Sequence, residues 1–79
     1  KTDDTNKKLT QVIIYGAQEN GSTLKKTIEQ ASNNEYSVVA FIDDDKSVIG
    51  KTIDGIKVYP FSQAKHVFLD WDIKTLFFA

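Results

Sequence analysis

Two continuous apolar runs, each stopped abruptly, constrain the fold of this chain more than any other feature. The first, Val12 to Tyr15 within residues 11–15, ends at Gly16, and the second, Val38 to Ile42 within residues 36–42, ends at three aspartates, residues 43–45. Strands that are covered on both faces of a parallel sheet form such uninterrupted apolar runs, whereas half-exposed strands alternate apolar and polar residues. Each run therefore predicts a buried strand of a parallel sheet.

An amphipathic helix is predicted between these two strands. From Ser22 onward, Leu24, Ile28 and Ala31 recur at helical spacing with polar residues between them, and the pattern ends near residues 33–34.

A second, shorter helix is predicted after Pro60. Ser62 is expected to cap its amino end, and Val67, Phe68 and Trp71 fall on one side of it. Large aromatic side chains usually lie in the core, and this is the expectation for Trp71, Phe61, Phe68, Phe77 and Phe78.

The segment between the second strand and Pro60 allows two connections. Short β-prone pieces at residues 51–53 and 56–59 flank Asp54 and Gly55, a pair that tolerates positive φ. Residues 43–55 form either a crossover to a parallel strand or an antiparallel hairpin, and the crossover is favoured. A last buried strand is predicted over residues 73–79.

This order of elements predicts an α/β fold, a Rossmann-like half-domain. Right-handed crossovers give a mostly parallel four-stranded sheet of order 3-2-1-4, flanked by helices. Residues 1–10, which carry no apolar periodicity, are expected to be a flexible leader, and residues 11–79 the domain. The chain begins at Lys1 without a methionine, so we expect it to be part of a longer protein.

Composition argues against several classes of function. Ten lysines oppose eleven acidic residues, arginine is absent, and the net charge is −1, which gives no basic surface for nucleic acid. Without cysteine the chain has no thiolate nucleophile, disulfide or common zinc site. The apolar runs are too short for a membrane helix, which needs about 20 residues.

The candidate binding residues are Gly16, Gly21 and Asp43. Residues 16–21 read Gly-Ala-Gln-Glu-Asn-Gly, in the place where a dinucleotide-binding fold has G-x-G-x-x-G, and Asp43 follows the second strand, where an acid accepts ribose hydroxyls. Gln18 replaces the middle glycine and Glu19 adds negative charge, and both weaken the pyrophosphate site. The alternative is that the two glycines serve only the turn and its packing, and that the acids form a solvated loop.

No catalytic residue and no metal site are predicted. A tyrosine four residues before a lysine, as short-chain dehydrogenase chemistry requires, does not occur, and the lone His66 has no nucleophile near it in the sequence. The three aspartates lack further spaced oxygen ligands for a cation.

Several blocks of the sequence together resemble a known family. The blocks are residues 12–21, 38–45, 49–51, 53–59 and 76–79. They resemble the amino-terminal nucleotide-binding domain of the CapD-like polysaccharide biosynthesis proteins, which are membrane-anchored bacterial nucleotide-sugar 4,6-dehydratases and epimerases. Similar blocks occur in CoA-binding domains and in NADH-sensing repressors.

The resemblance implies a function for the domain and a setting for its parent. It implies a cytoplasmic domain of a parent enzyme at the bacterial inner membrane, acting in capsule or lipopolysaccharide synthesis, with its NAD-dependent catalytic domain elsewhere. This domain itself is expected to be a non-catalytic accessory domain that binds NAD or another nucleotide at Gly16, Gly21 and Asp43.

Two alternatives to the accessory domain remain open. One is a ligand-free structural or oligomerisation module, and the other is an NADH- or CoA-binding sensor domain. If the last strand lies at a sheet edge, its apolar residues Leu76, Phe77 and Phe78 favour a homo-oligomer formed through that strand.

Overall fold

A computed structural model describes residues 9–30 and 35–79, which form an α/β fold with a mostly parallel sheet. Its elements follow one another along the chain as β1 (Thr10–Tyr15), α1 (Glu19–Gln30), β2 (Tyr36–Ile42), β3 (Thr52–Ile53), β4 (Ile56–Tyr59), a 3₁₀ turn (Phe61–Gln63), α2 (Ala64–Trp71) and β5 (Leu76–Phe78). No helix within the described ranges has the length and apolar character needed to cross a membrane.

The described strands form one five-stranded sheet of order β3-β4-β2-β1-β5. β1 pairs in parallel with both β2 and β5, β2 pairs in parallel with β4, and only β3 runs antiparallel, beside β4. The predicted fold class is confirmed. The predicted order 3-2-1-4 corresponds to β4-β2-β1-β5, so the count of four strands was one too low.

The additional strand arises because the two connections considered for residues 43–55 occur together. β4 pairs in parallel with β2, as the crossover requires, and it also forms a hairpin with β3. The turn of this hairpin holds Asp54 at φ 53° and Gly55 at φ 80°, the left-handed conformation that a two-residue hairpin loop needs. The Asp-Gly turn is therefore confirmed, and β3 lies at the sheet edge.

The apolar runs supply two cores, one on each face of the sheet. Val12 and Ile14 pack on the face covered by α1, whereas Ile13 packs on the face covered by α2. All three are fully buried, as a strand between two layers requires.

A bulge in β2 changes which face its residues point to. Val12 pairs with Val38, but Ile13 pairs with Ala40, which leaves Val39 as the extra residue. The backbone N–H of Val38 donates to the Oε2 atom of Glu29 in α1 at 3.1 Å. The helix thus satisfies a buried donor at the bulge.

Several predicted boundaries move by a few residues. β1 begins at Thr10, α1 begins at Glu19 rather than Ser22, and the last strand is limited to Leu76–Phe78. The predicted helix end at residues 33–34, and residues 1–8 of the predicted leader, lie outside the described residues.

The expected cap at Ser62 was wrong. The chain enters a 3₁₀ turn at Phe61, whose N–H donates to Oδ1 of Asp44 at 2.9 Å, and neither this turn nor α2 has a side-chain cap of its own. The acid at the end of β2 therefore orients the start of this helical segment.

The expectation of a core position was also wrong for three of the aromatic residues. Phe61, Trp71 and Phe78 are 57%, 42% and 73% exposed. They lie in the 3₁₀ turn, at the last residue of α2, and in the edge strand β5, where the two cores do not cover them. Tyr15 contacts both phenylalanines, with ring centroids 5.9 Å from Phe61 and 5.7 Å from Phe78.

Candidate functional site

The candidate site is a cleft of about 340 Å³ at the carboxyl ends of the central parallel strands. Open α/β sheets bind ligands at this edge, where neighbouring crossovers diverge. Its lining residues are Gly16, Gln18, Glu19, Asn20, Gly21, Asp43 and Ala79. The three residues predicted from the sequence, Gly16, Gly21 and Asp43, are thus brought together in one cleft.

The two glycines allow the turn after β1 to lie directly against the start of α1. Gly16 has φ +109°, and its N–H donates to the carbonyl of Ile42 at 2.7 Å. A Cβ atom on Gly21 would lie 1.9 Å from the carbonyl oxygen of Gly16. Gly21 therefore meets the packing requirement of the last glycine in G-x-G-x-x-G.

Asp43 connects the loops that follow the two central strands. Its Oδ2 atom accepts a hydrogen bond from the backbone N–H of Ala17 at 2.9 Å, and its Oδ1 atom accepts one from the N–H of Asp45 at 2.9 Å. Each carboxylate oxygen can accept more than one hydrogen bond. Both oxygens of Asp43 can therefore accept further hydrogen bonds from hydroxyl groups of a ligand.

Gln18 forms a second connection between the same two loops. Its Nε2 atom donates to Oδ2 of Asp45 at 2.8 Å, 27 residues further along the chain. The middle position of the glycine motif is thus occupied by a side chain that has a defined partner.

Asp45 also organises the loop that follows β2. Its Oδ1 atom accepts hydrogen bonds from the backbone N–H of Ser47 at 2.9 Å and from the Ser47 hydroxyl at 2.7 Å. The pKa of Asp45 is lowered chiefly by the Ser47 backbone N–H, then by the Ser47 hydroxyl, with a smaller contribution from Gln18. Asp45 therefore remains a charged acceptor near neutral pH.

The charge of the cleft lining is negative. Asp43 and Glu19 contribute carboxylates, Gln18 and Asn20 contribute amides, and the lining residues include no lysine. Glu19 also lies in the first turn of α1, where it offsets the positive end of the helix dipole. Hydrogen-bond donors on a ligand are favoured here, and added negative charge is disfavoured.

Some contacts near the cleft were missed at the sequence level. Ser22 in α1 donates its hydroxyl to Oδ2 of Asp54 in the hairpin turn at 2.8 Å, which ties the turn to the helix. Ala79 lines the cleft and donates its N–H to the carbonyl of Tyr15 at 2.9 Å. Both contacts join residues far apart in the chain, and no local pattern signals them.

Two other features are not part of this cleft. His66 is exposed on α2. A larger cleft of about 680 Å³ lies at the opposite edge, lined by residues that include Thr10 and Ser37 at the amino ends of β1 and β2. Since ligands of open α/β sheets bind at the carboxyl edge, the smaller cleft is the candidate.

Among the residues that the structure places, no group of three or more His, Cys, Asp or Glu side chains is arranged to hold a metal ion.

Comparisons with known proteins agree with this architecture. A family model described as C2185-like, N-terminal, matches residues 8–73. The structure of UDP-D-quinovosamine 4-dehydrogenase from Vibrio fischeri matches with a TM-score of 0.81 and 30% identity, over 90% of this chain and 57% of that chain. This chain therefore spans just over half the length of that relative.

Two structures of RSP, a Rex-family repressor, share the fold at lower identity. One matches with a TM-score of 0.77 and 15% identity, over 91% of this chain and 34% of that chain. The other, a complex with β-NADH, matches with a TM-score of 0.76 and 14% identity, over 90% of this chain and 34% of that chain. A search of curated proteins finds no significant match.

Proposed function

The chain belongs to the C2185-like, N-terminal family, and from this premise we propose that it is a non-catalytic accessory domain that binds a nucleotide. The domain comprises residues 11–79, and its ligand is NAD or another nucleotide. The binding residues are Gly16, Gly21 and Asp43. Gly16 and Gly21 provide the close turn, and Asp43 accepts hydrogen bonds from ribose hydroxyls.

The observation that carries this proposal is the meeting of both glycines and Asp43 in one cleft at the carboxyl edge of the sheet. The hydrogen bond from Ala17 to Asp43 fixes the carboxylate beside the glycine turn. Two similar structures support a nucleotide ligand, because one is a UDP-D-quinovosamine 4-dehydrogenase and the other is a complex with β-NADH.

The parent protein is proposed to be a bacterial nucleotide-sugar dehydratase or epimerase. The support is the 30% identity to a UDP-sugar dehydrogenase, together with the CapD-like sequence blocks. In this proposal the parent is anchored at the inner membrane, acts in capsule or lipopolysaccharide synthesis, and carries its catalytic residues outside this domain. Sequencing the full reading frame tests this, since it predicts membrane helices before the domain and a Tyr-x-x-x-Lys segment after it.

Isothermal titration calorimetry with NADH, NADPH, CoA and a UDP-sugar tests the nucleotide site. We expect binding of at least one probe and the weakest binding for NADPH, because Asp43 repels a 2′-phosphate and the chain has no arginine to neutralise it. Asp43→Asn should weaken binding. Asp44→Asn is the matched control, because the Asp44 carboxylate accepts from Phe61 and is not in the cleft lining. Equal binding by both variants, or no heat with any probe, would contradict the proposal.

A second candidate function is self-association through β5. Among the described strands β5 pairs only with β1, and Phe78 in β5 is 73% exposed. An open apolar strand edge favours pairing with a second copy. Under this second candidate function the domain is a structural module that no longer binds a nucleotide, which would explain why Gln18 replaces the middle glycine of the motif.

Sedimentation equilibrium over about a hundredfold range of protein concentration tests this candidate, since association follows mass action. We expect Phe78→Lys to make the protein monomeric. Leu69→Lys is the control, because Leu69 is similarly exposed, at 70%, but lies on α2. A protein that is monomeric throughout, or a dimer that tolerates Phe78→Lys, excludes association through this edge.

A further inference from the structure

We propose that Gln18 is the specificity-determining residue of the nucleotide site and that it selects for the nucleoside part of a ligand against the pyrophosphate part. The inference rests on the proposed function and concerns the same cleft. In the structure the Gln18 carboxamide is held by Asp45, so the middle position of the glycine motif is filled by a side chain with a fixed partner.

The acceptor of this hydrogen bond is itself fixed in place. Both the N–H and the hydroxyl of Ser47 donate to Oδ1 of Asp45, which leaves Oδ2 for Gln18. The backbone N–H of Asp45 in turn donates to Asp43. Because the Asp45 side chain is already ordered, holding Gln18 against it immobilises only one further side chain.

The hydrogen bond joins the glycine turn to the loop that follows β2, the two segments that a dinucleotide would contact. Asp43 is the acceptor for ribose hydroxyls, and the turn from Gly16 to Gly21 is where a pyrophosphate approaches the backbone. Gln18 lines the cleft beside both and extends from the glycine turn to the loop after β2. A ligand that reaches from Asp43 to the glycine turn therefore meets the Gln18 side chain, whereas one that binds only at Asp43 does not need to displace it.

The charge of the lining favours the same selection. A pyrophosphate adds negative charge beside the carboxylates of Asp43 and Glu19, and the lining residues include no lysine to offset it. A nucleoside brings uncharged hydroxyl donors, which suit the carboxylate of Asp43. The favoured ligand class is thus a nucleoside with a free ribose diol, and the pyrophosphate of a larger ligand contributes little affinity.

Calorimetry with adenosine and ADP-ribose as probes tests the inference, because the two share the nucleoside and differ in the pyrophosphate. For the unaltered protein we expect ADP-ribose to bind no more tightly than adenosine. Gln18→Gly should strengthen ADP-ribose binding about three- to tenfold, the effect of one hydrogen bond, and leave adenosine binding unchanged. Gln18→Ala removes the carboxamide while keeping a side-chain carbon, and it should show a smaller gain in the same direction.

Asn20→Ala is the matched control, because Asn20 also places a carboxamide in the cleft lining. It should leave the ratio of the two affinities unchanged. If the Gln18 variants leave this ratio unchanged while the protein binds adenosine, the inference is wrong and the nucleotide site stands. If Asn20→Ala shifts the ratio as strongly as Gln18→Ala, selection by Gln18 is also wrong. If neither probe binds to any of these proteins, the inference is wrong, and the calorimetry with NADH, NADPH, CoA and a UDP-sugar decides the proposed function separately.

Discussion

Replacing Gly21 with alanine tests whether close packing of α1 on the glycine turn stabilises this fold. The added Cβ would lie 1.9 Å from the carbonyl oxygen of Gly16 and 2.8 Å from its carbonyl carbon. Both atoms belong to the backbone, so no side-chain rotation relieves the contact. The turn must move by roughly 1 Å or more to restore a normal van der Waals separation.

The surroundings of the turn resist such a movement. The N–H of Gly16 is bonded to the carbonyl of Ile42 at 2.7 Å, and Asp43 holds the N–H of Ala17. On the other side of the turn Ala79 lies close to Gly16, since a Cβ atom added to Gly16 would be only 3.1 Å from the Cβ of Ala79. A shift of the turn therefore strains contacts with β2 and with the residue that follows β5.

Because the clash is with backbone atoms, the cost of overpacking lies in the upper part of its usual range, about 2–3 kcal/mol, and the better helix propensity of alanine offsets up to ~1 kcal/mol of it, which leaves a net loss of about 1–2 kcal/mol. A domain of this size has a total stability on the order of 5–10 kcal/mol, so even the net loss is substantial. For 60–100 residues each kcal/mol corresponds to about 4–8 °C, which predicts a Tm lower by roughly 5–15 °C.

Thermal and urea denaturation followed by circular dichroism measure this loss. The control is Thr23→Ala, at an exposed position two residues further along the same helix, and its unfolding free energy should change by less than about 0.5 kcal/mol. The urea m-value should stay constant in both variants, since the surface exposed on unfolding is the same. A Gly21→Ala variant as stable as the unaltered protein would refute the packing argument and with it the structural reason for glycine at this position.

Three further predictions concern individual hydrogen bonds and the hairpin turn. Glu29→Ala should cost about 1–3 kcal/mol in a urea titration because it leaves the buried N–H of Val38 without its acceptor, whereas Glu29→Gln, which keeps an oxygen there, should cost less. Ser47→Ala should raise the pKa of Asp45 in an NMR titration by removing one of its donors. Because the folded-state pKa of Asp45 is lowered, its contribution to stability is present above the ordinary carboxyl pKa and is lost as the pH falls through the folded value, so this variant should lose stability earlier on acidification. Gly55→Ala should cost about 1–2 kcal/mol from positive φ alone, since no atom lies within 4 Å of the added carbon.

The two apolar runs were sufficient to predict the core of the sheet. Residues 11–15 and 36–42 lack polar alternation, and that pattern has one simple explanation in an α/β fold, burial between two layers of helices. The order of the parallel strands then follows from right-handed crossovers. What the runs do not encode is the bulge at Val39, because a bulge inserts one residue without changing the apolar character of the strand.

The edges of the sheet were less predictable for a physical reason. β3 has two residues and β5 has three, and elements this short leave no periodicity to read. The exposure of Phe61 and Phe78 depends on which elements cover the sheet edge, which is a tertiary property. Aromatic identity alone therefore predicted burial where the fold does not provide it.

The candidate site was predictable in its backbone but not in its side-chain contacts. The positive φ of Gly16 and the close packing at Gly21 both require glycine, so these positions can be recognised in the sequence. The bond from Gln18 to Asp45 joins two loops 27 residues apart, and either residue alone resembles ordinary polar loop composition. The sequence showed that Gln18 occupies the middle position of the glycine motif, but it did not show that the side chain is oriented by a hydrogen bond to Asp45.

The three consecutive aspartates show that a run of acids at this place has a structural role, even though Asp44 and Asp45 are exposed to solvent. Each carboxylate accepts a backbone N–H from a different residue: Asp43 from Ala17, Asp44 from Phe61, and Asp45 from Ser47. A chain that leaves a buried strand must satisfy the N–H groups of its neighbouring turns, and short carboxylates do so without adding apolar bulk. The run thus holds the glycine turn, the start of the 3₁₀ turn and its own loop together at the carboxyl edge of the sheet.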